Sequence, residues 1–382
     1  QTAPQPARSG GNAEVPRRRS GCVIVALGLR FIRDRGSDAG ADIHTFKSSR
    51  LPAVARGCFK RIVPIPRARL RSMSEIAKIF DSALLTARRN RAAADAARHD
   101  FLIERVADDF AERLSLVKRE FANGLNLGAY HGLLSRRLRQ LANVGQLIDL
   151  EPAAEMLSAC DGPQLCAALD TLPVRAESLD LVVSGLALQL VDDLPGALVQ
   201  IRRALKPDGL MLAALLGGDT LTELRDAWLI AEEEITGGAS PRVTPFADVR
   251  QLGALLQRAG FALPVADTDV VRVTYATPLD LMREVKAFGA SNMLAARRRV
   301  PVTKRLMLRA AEVYLERHAL PDGRIPATFE IITLTGWVPH ENQQKPLRPG
   351  SAAMRLADAL GVKERNAGEA APVSSKDPAA RE

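Results

Sequence analysis

The sequence predicts an α/β fold, a doubly wound and mostly parallel seven-stranded sheet with helices added at both ends. Three observations predict it. Leu179-Asp180-Leu181-Val182-Val183-Ser184 is a short, apolar, β-branched run, as a strand buried on both faces requires. Leu198, Ile201 and Leu205 then recur at helical spacing, behind Asp192 or Asp193 as N-cap and Pro195 in the first turn, where a missing N–H is tolerated. Lys206-Pro207-Asp208-Gly209 stops that helix and Leu210 to Leu216 returns as a second apolar strand, which makes a right-handed crossover between parallel neighbours.

The remaining elements follow in order from Met73, the first methionine of the chain. Ile76 to Leu85 and Ala92 to Val117 read as helices, the second with Leu102, Val106, Phe110 and Leu114 on one face. Leu125 to Leu127 is a strand, Gly128 to Gly132 a loop opening onto a helix, and Gln146 to Leu150 a strand. A helix over Ala154 to Ala159 and a strand over Gln164 to Leu169 lead into the crossover. After it, Thr220-Leu221-Thr222-Glu223 has the form of a capping box at the head of a long helix. Helices are expected over Phe246 to Ala259, Pro278 to Phe288 and Thr303 to His318, and strands over Val265 to Tyr275 and Thr328 to Val338. The expected division is 73–120 for N-terminal helices, 121–275 for the sheet domain, 276–340 for C-terminal helices and the last strand, and 341–382 for a loose tail.

With 382 residues and 47% apolar content there is ample material for one large domain. The net charge of +9 suggests an anionic partner until it is placed along the chain. Residues 1–72 hold 15 of the 53 Lys and Arg and only four of the 44 Asp and Glu, so the rest carries 38 against 40. The body is nearly neutral, and nucleic acid is not expected as a partner. Residues 1–72 show no sustained period and read as a disordered leader or an over-extended start, with Met73 as the expected beginning. A signal or transit peptide is the weighed alternative, from Arg17-Arg18-Arg19 and the apolar run behind it. No stretch reaches membrane-spanning length, and Cys160 and Cys166 match no zinc or redox spacing, so a reduced, cytoplasmic protein without stable membrane insertion is expected. The ratio of 43 Arg to 10 Lys points to a GC-rich bacterial source.

Chemistry in such a sheet belongs at the carboxyl ends of the strands. Gly128-Ala129-Tyr130-His131-Gly132 follows a strand and opens a helix, so its glycines let a ligand approach the backbone. Asp149 comes about twenty residues later, where a carboxylate can accept from both ribose hydroxyls of an adenosine ligand. The spacing serves nicotinamide dinucleotides and S-adenosylmethionine alike.

The series Leu125-Asn126-Leu127-Gly128, Ile148-Asp149-Leu150, Leu172-Pro173, Leu179 to Ser184 and Leu205 to Gly209 resembles the Rossmann-like class I S-adenosylmethionine-dependent methyltransferases. The branch it is most similar to contains the malonyl-carrier-protein methyltransferases of biotin synthesis and the complex I assembly factor 5 proteins. Gly217-Gly218-Asp219-Thr220-Leu221, Arg258-Ala259-Gly260-Phe261, Asp267-Thr268-Asp269 and Gly336-Trp337 with His340-Glu341 carry the likeness to the latter, over roughly residues 79 to 353. The resemblance implies S-adenosylmethionine as cofactor, held by Asn126, Gly128, Ala129, Gly132, Asp149, Leu150, Leu169, Asp170 and Ser184. It implies methyl transfer, for which Asp219, Arg225 and His340 are the candidates on the acceptor side. The chain departs from the family pattern at Asn126 and Tyr130, where a carboxylate and a glycine are usual, and at Ala168, where an adenine-binding Asp is usual; Asp170 is the expected substitute.

Two further readings belong to the resemblance. One is arginine hydroxylation of a respiratory complex I subunit, for which none of His99, His131, His318 and His340 forms the His-x-Asp or His-x-Glu pair of an iron facial triad. The other is a non-catalytic scaffold, docking on a partner through the basic run Arg88-Arg89-Asn90-Arg91. The expected acceptors are a protein substrate or a small acyl or carrier-linked group.

Overall fold

Strand Leu179–Gly185 is buried at all seven positions, and its neighbours in the sheet explain why. In a computed structural model describing residues 78–343, 354, 358, 360 and 361, the elements follow the expected order. They are α1 (Ser82–Ala92), α2 (Phe101–Ser115), β1 (Phe121–Leu127), α3 (Leu133–Leu138), β2 (Val144–Leu150), α4 (Ala154–Leu157), β3 (Gln164–Leu165) and β4 (Leu179–Gly185). Then come α5 (Leu194–Ala204), β5 (Leu205–Leu216), α6 (Thr222–Thr236), α7 (Val249–Arg258), β6 (Ala262–Tyr275), α8 (Pro278–Ala287), α9 (Lys304–His318) and β7 (Ile325–Trp337). The seven strands lie in the order β3-β2-β1-β4-β5-β7-β6. The first five are parallel; β7 runs antiparallel to β5, and β6 antiparallel to β7.

The pleat sends alternate residues to opposite faces. Leu181 and Val183 join one apolar cluster with Leu147, Leu212 and Phe110, while Val182 joins another with Met211, Leu198 and Ile201. Both faces are therefore covered by helices, as a parallel sheet demands.

Local signals were realised where the chain closes on itself nearby. Asp193 caps α5, its carboxylate accepting from Gly196 N at 2.8 Å, and Thr303 caps α9 by accepting from Leu306 N. Where long-range contacts compete, the expectations give way. Leu221, at φ 53°, is the N-cap of α6, and Glu223 accepts instead from Thr328 N and Oγ1 of β7, so the capping box does not form. The strand expected over Gln164 to Leu169 is only two residues long, and α1 begins at Ser82 rather than Ile76. β5 starts directly at Leu205, with its register shifting between Leu179↔Leu205 and Leu181↔Leu210 to absorb the Lys206–Gly209 turn.

The chain divides into two units, Gln1–Pro339 and His340–Glu382. The leader over 1–72, the start at Met73 and most of 341–382 lie outside the described residues. Among the described residues no helix is long and apolar enough to cross a membrane.

Candidate functional site

The loop after β1 takes the left-handed conformation at Gly128 (φ 75°), Tyr130 (φ 54°) and Gly132 (φ 80°). A Cβ on Gly128 would lie 2.1 Å from that of Ala187, and one on Gly132 would lie 2.9 Å from Cys160 Sγ. Glycine is thus required twice, by conformation and by space. Tyr130 holds the same conformation with a side chain, at a cost of about 1–2 kcal/mol. Its ring packs with Ala92, Ala96, Ala153 and Met156, and its hydroxyl donates to Phe288 O at 3.1 Å. Burial pushes that phenol up to about 12, so it is un-ionised at neutral pH.

Asp149 is engaged within the protein. It pairs in register with Asn126 of β1, and its fully buried carboxylate accepts from Asn126 Nδ2 at 3.0 Å, from Ser135 Oγ of α3, and from Arg139 at 2.8 Å. α3 packs over this point and shuts it off from the strand ends. A second carboxylate, Glu151, stands immediately after β2, and the sequence reading passed over it. Its signal was there: an acidic residue immediately after the apolar run and just before a short helix.

Glu151 is 0% exposed and fully engaged. Arg89 Nη1 lies 3.0 and 2.8 Å from its two oxygens, Tyr130 N donates at 3.1 Å, and Ala153 N donates at 3.2 Å. A carboxylate has about four acceptor sites, and here all are taken. The basic run of α1 is therefore not a solvated face. Arg89 turns inward to Glu151, and Arg88 donates to Ser291 O at 2.6 Å.

The other expected ligand residues hold the fold. Ser184 donates to Leu127 O at 2.8 Å, while Leu150 and Leu169 are core residues. Ala129 packs with Leu157 and Cys160. Asp170 is exposed and accepts from Asp192 N at 3.1 Å. The expected acceptor-side residues fall in two units. Asp219 is exposed and donates its N–H to Glu330, Arg225 donates to Gly218 O and Thr220 O, and His340 begins the second unit with Nδ1 accepting from Asn342 N.

What the fold does gather is a cavity of about 800 Å³ over the carboxyl ends of β4 and β5, at Gly185, Leu186 and Leu216. α1, α6 and α8 wall it, together with residues 289–302, which are pinned to the start of α1 by Asp81 N donating to Met293 O and Ala295 N donating to Ile79 O, both at 2.8 Å. Tyr130 lines it too, beside His99, whose Nδ1 lies 3.3 Å from Glu284 Oε1. Among the described residues no cluster of three or more His, Cys, Asp or Glu could hold a metal ion.

Fold, loop and strand-end carboxylate together define a class: the chain belongs to the class I S-adenosylmethionine-dependent methyltransferase family. The methyltransferase domain family matches residues 125–213. Within that class the chain is similar to the mitochondrial arginine-hydroxylase NDUFAF5 of Danio rerio, 37% identical over 75% of this chain and 88% of the relative. It is also similar to the malonyl-[acyl-carrier protein] O-methyltransferase of Halorhodospira halophila, 37% identical over 64% of this chain and 84% of the relative. Among solved structures it aligns with the YcgJ protein of Bacillus subtilis at 13% identity and a TM-score of 0.44, covering 62% of this chain and 99% of that one.

The family cofactor is S-adenosylmethionine, and the residues present fit it in kind. The left-handed loop carries glycines at 128 and 132, although Ala187 and Cys160 pack against both, and Glu151 is an acceptor of the type that ribose hydroxyls need. The fit is conditional, because Arg89 occupies that acceptor.

Proposed function

We propose that the chain is a methyltransferase whose cofactor niche runs along Gly128, Gly132 and Glu151, and whose acceptor enters the cavity on the far side of Tyr130. Tyr130 carries this reading: its N–H donates to Glu151 while its side chain lines the cavity, so one residue joins niche and cavity. When bound, S-adenosylmethionine supplies a methyl group already activated by its sulfonium. The protein's own work is positioning and exclusion of water. Glu151 would hold the ribose hydroxyls if Arg89 gave up its contact, and the apolar cavity walls would keep the acceptor dry. His99, oriented by Glu284, takes a proton where the acceptor carries one.

A protein acceptor presenting arginine, which likeness to arginine hydroxylases favours, meets Arg and Lys side chains and no carboxylate among the residues lining this cavity. Like charges in an apolar setting repel strongly, so an acceptor without positive charge suits it better. The reading is tested by calorimetric titration of S-adenosylmethionine into the wild type, Arg89→Ala and Glu151→Gln. The expected result is micromolar binding to the wild type, tighter binding to Arg89→Ala, and at least tenfold weaker binding to Glu151→Gln. Absence of heat up to millimolar ligand in both the wild type and Arg89→Ala overturns it.

A further inference from the structure

The cavity has a charge pattern that the cofactor niche does not account for. Its walls are largely apolar, with Trp228, Phe246, Met282 and Phe329 among them, yet it is lined by seven Arg and Lys residues and by no Asp or Glu. Four of the seven are engaged. Arg89 pairs with Glu151, Arg242 with Glu232, Arg297 with Asp81, and Arg88 donates to main-chain carbonyls of Ser291 and Asn292. The other three, Lys286, Arg298 and Arg299, are exposed on α8 and the 297–302 segment, and no ion-pair partner is found for them among the described residues. Burial, with Arg297 and Arg91 nearby and only Asp81 opposing them, pushes the Arg88 guanidinium down from its usual range; the same Asp81 carboxylate feels Arg299 at longer range.

We infer that this cavity binds an amphipathic anion, an apolar chain such as an acyl tail ending in a carboxylate or phosphate. The tail lies among the apolar walls beside Trp228, and the head is met at the rim by Lys286, Arg298 and Arg299. The volume, about 800 Å³, is that of a site for a ligand of this size. Apolar contact supplies attraction without direction, and the unpaired cations select the sign of the head. Arginines suit either head, since their planar fork matches both carboxylate and phosphate. The inference names the acceptor class for the proposed methyl transfer and in that sense rests on it, but binding of the anion itself needs no cofactor.

The test uses the full chain and four monomeric twelve-carbon probes: dodecanoate, dodecyl phosphate, dodecanol and dodecylammonium. The expected calorimetric result is micromolar binding of both anions, at least tenfold weaker binding of the alcohol, and none of the ammonium. The double variant Arg298→Ser/Arg299→Ser, at two exposed positions that the fold does not need, should weaken both anions about tenfold and leave the alcohol unchanged. Quenching by 11-bromoundecanoate locates the tail: fluorescence should fall in the wild type and much less in Trp228→Phe, although calorimetry still shows binding there. Equal affinity for all head groups, or quenching that persists in Trp228→Phe, overturns the inference. Anion binding by a protein that gives no heat with S-adenosylmethionine leaves the inference standing and removes methyl transfer. Cofactor binding without anion binding does the reverse.

Discussion

Arg89 reaches across 62 positions of sequence to Glu151 and holds both carboxylate oxygens, with side-chain exposures of 7% and 0%. The pair fastens α1 over the loop that follows β1. In the proposed function it is also a contact that ribose binding at Glu151 would displace, beside those from Tyr130 N and Ala153 N.

Removing one partner of such a buried pair strands the other charge, which costs about 3–5 kcal/mol, whereas replacing both with apolar groups is often neutral. Glu151→Leu should therefore lose several kcal/mol in urea denaturation, and Arg89→Met/Glu151→Leu should recover most of it. A double variant no more stable than the single would show that the pair is not what α1 is held by.

Asp149 and Glu151 should separate stability from binding. Asp149→Ala breaks contacts to Asn126, Ser135 and Arg139 inside the sheet, and its unpaired Arg139 and polar neighbours should cost about 3–5 kcal/mol. At a temperature where the variant is folded, its affinity for S-adenosylmethionine should stay within a few fold of wild type. Glu151→Gln should show the reverse emphasis, with the loss falling on affinity.

Tyr130→Gly tests the loop. Relief of the left-handed strain is worth about 1–2 kcal/mol, against about 3–5 kcal/mol lost with a buried aromatic, so a net loss of about 1–4 kcal/mol is expected in denaturant titration. The vacated space adjoins both Glu151 and the cavity, so cofactor affinity should rise. Tyr130→Phe, losing only the hydrogen bond to Phe288 O, should cost about 0.5–1.5 kcal/mol.

His131 gives a pH signature. Burial, outweighing the attraction of Asp100 and aided by Arg136, lowers its pKa from the usual 6.5, so the folded state binds its proton less readily than the unfolded state does. Stability linked to this group is intact above 6.5 and falls as pH drops from there through the lowered folded value. The melting temperature of the wild type should decline across that window more steeply than that of His131→Asn, and parallel curves would show that the buried imidazole does not titrate there.

Gly128→Ala should be among the most damaging single changes for its size, because the new methyl meets Ala187 Cβ at 2.1 Å and the backbone is left-handed. Adding Ala187→Gly removes the collision but not the strain. Partial recovery of the melting temperature is expected, with about 1–2 kcal/mol remaining.

Much of the framework could be read from the chain because its causes are local. Apolar runs and the Asp193 cap act within a few residues, and each gave an element close to the expected place. The family likeness was readable for the same reason, since it rests on short strings at strand ends. Asp149 and Glu151, two residues apart, are both buried and paired, because periodicity marks where a strand lies and leaves open which partners the packing brings to each carboxylate. Only the tertiary structure decided that α3 seals Asp149, that Thr328 takes Glu223 from its own helix, and that Arg89 closes on Glu151. Those contacts span 10, 105 and 62 positions and run through buried or part-buried charges and hydrogen bonds. In a low-dielectric interior such groups take whatever partner the packing delivers, and local pattern does not encode that choice.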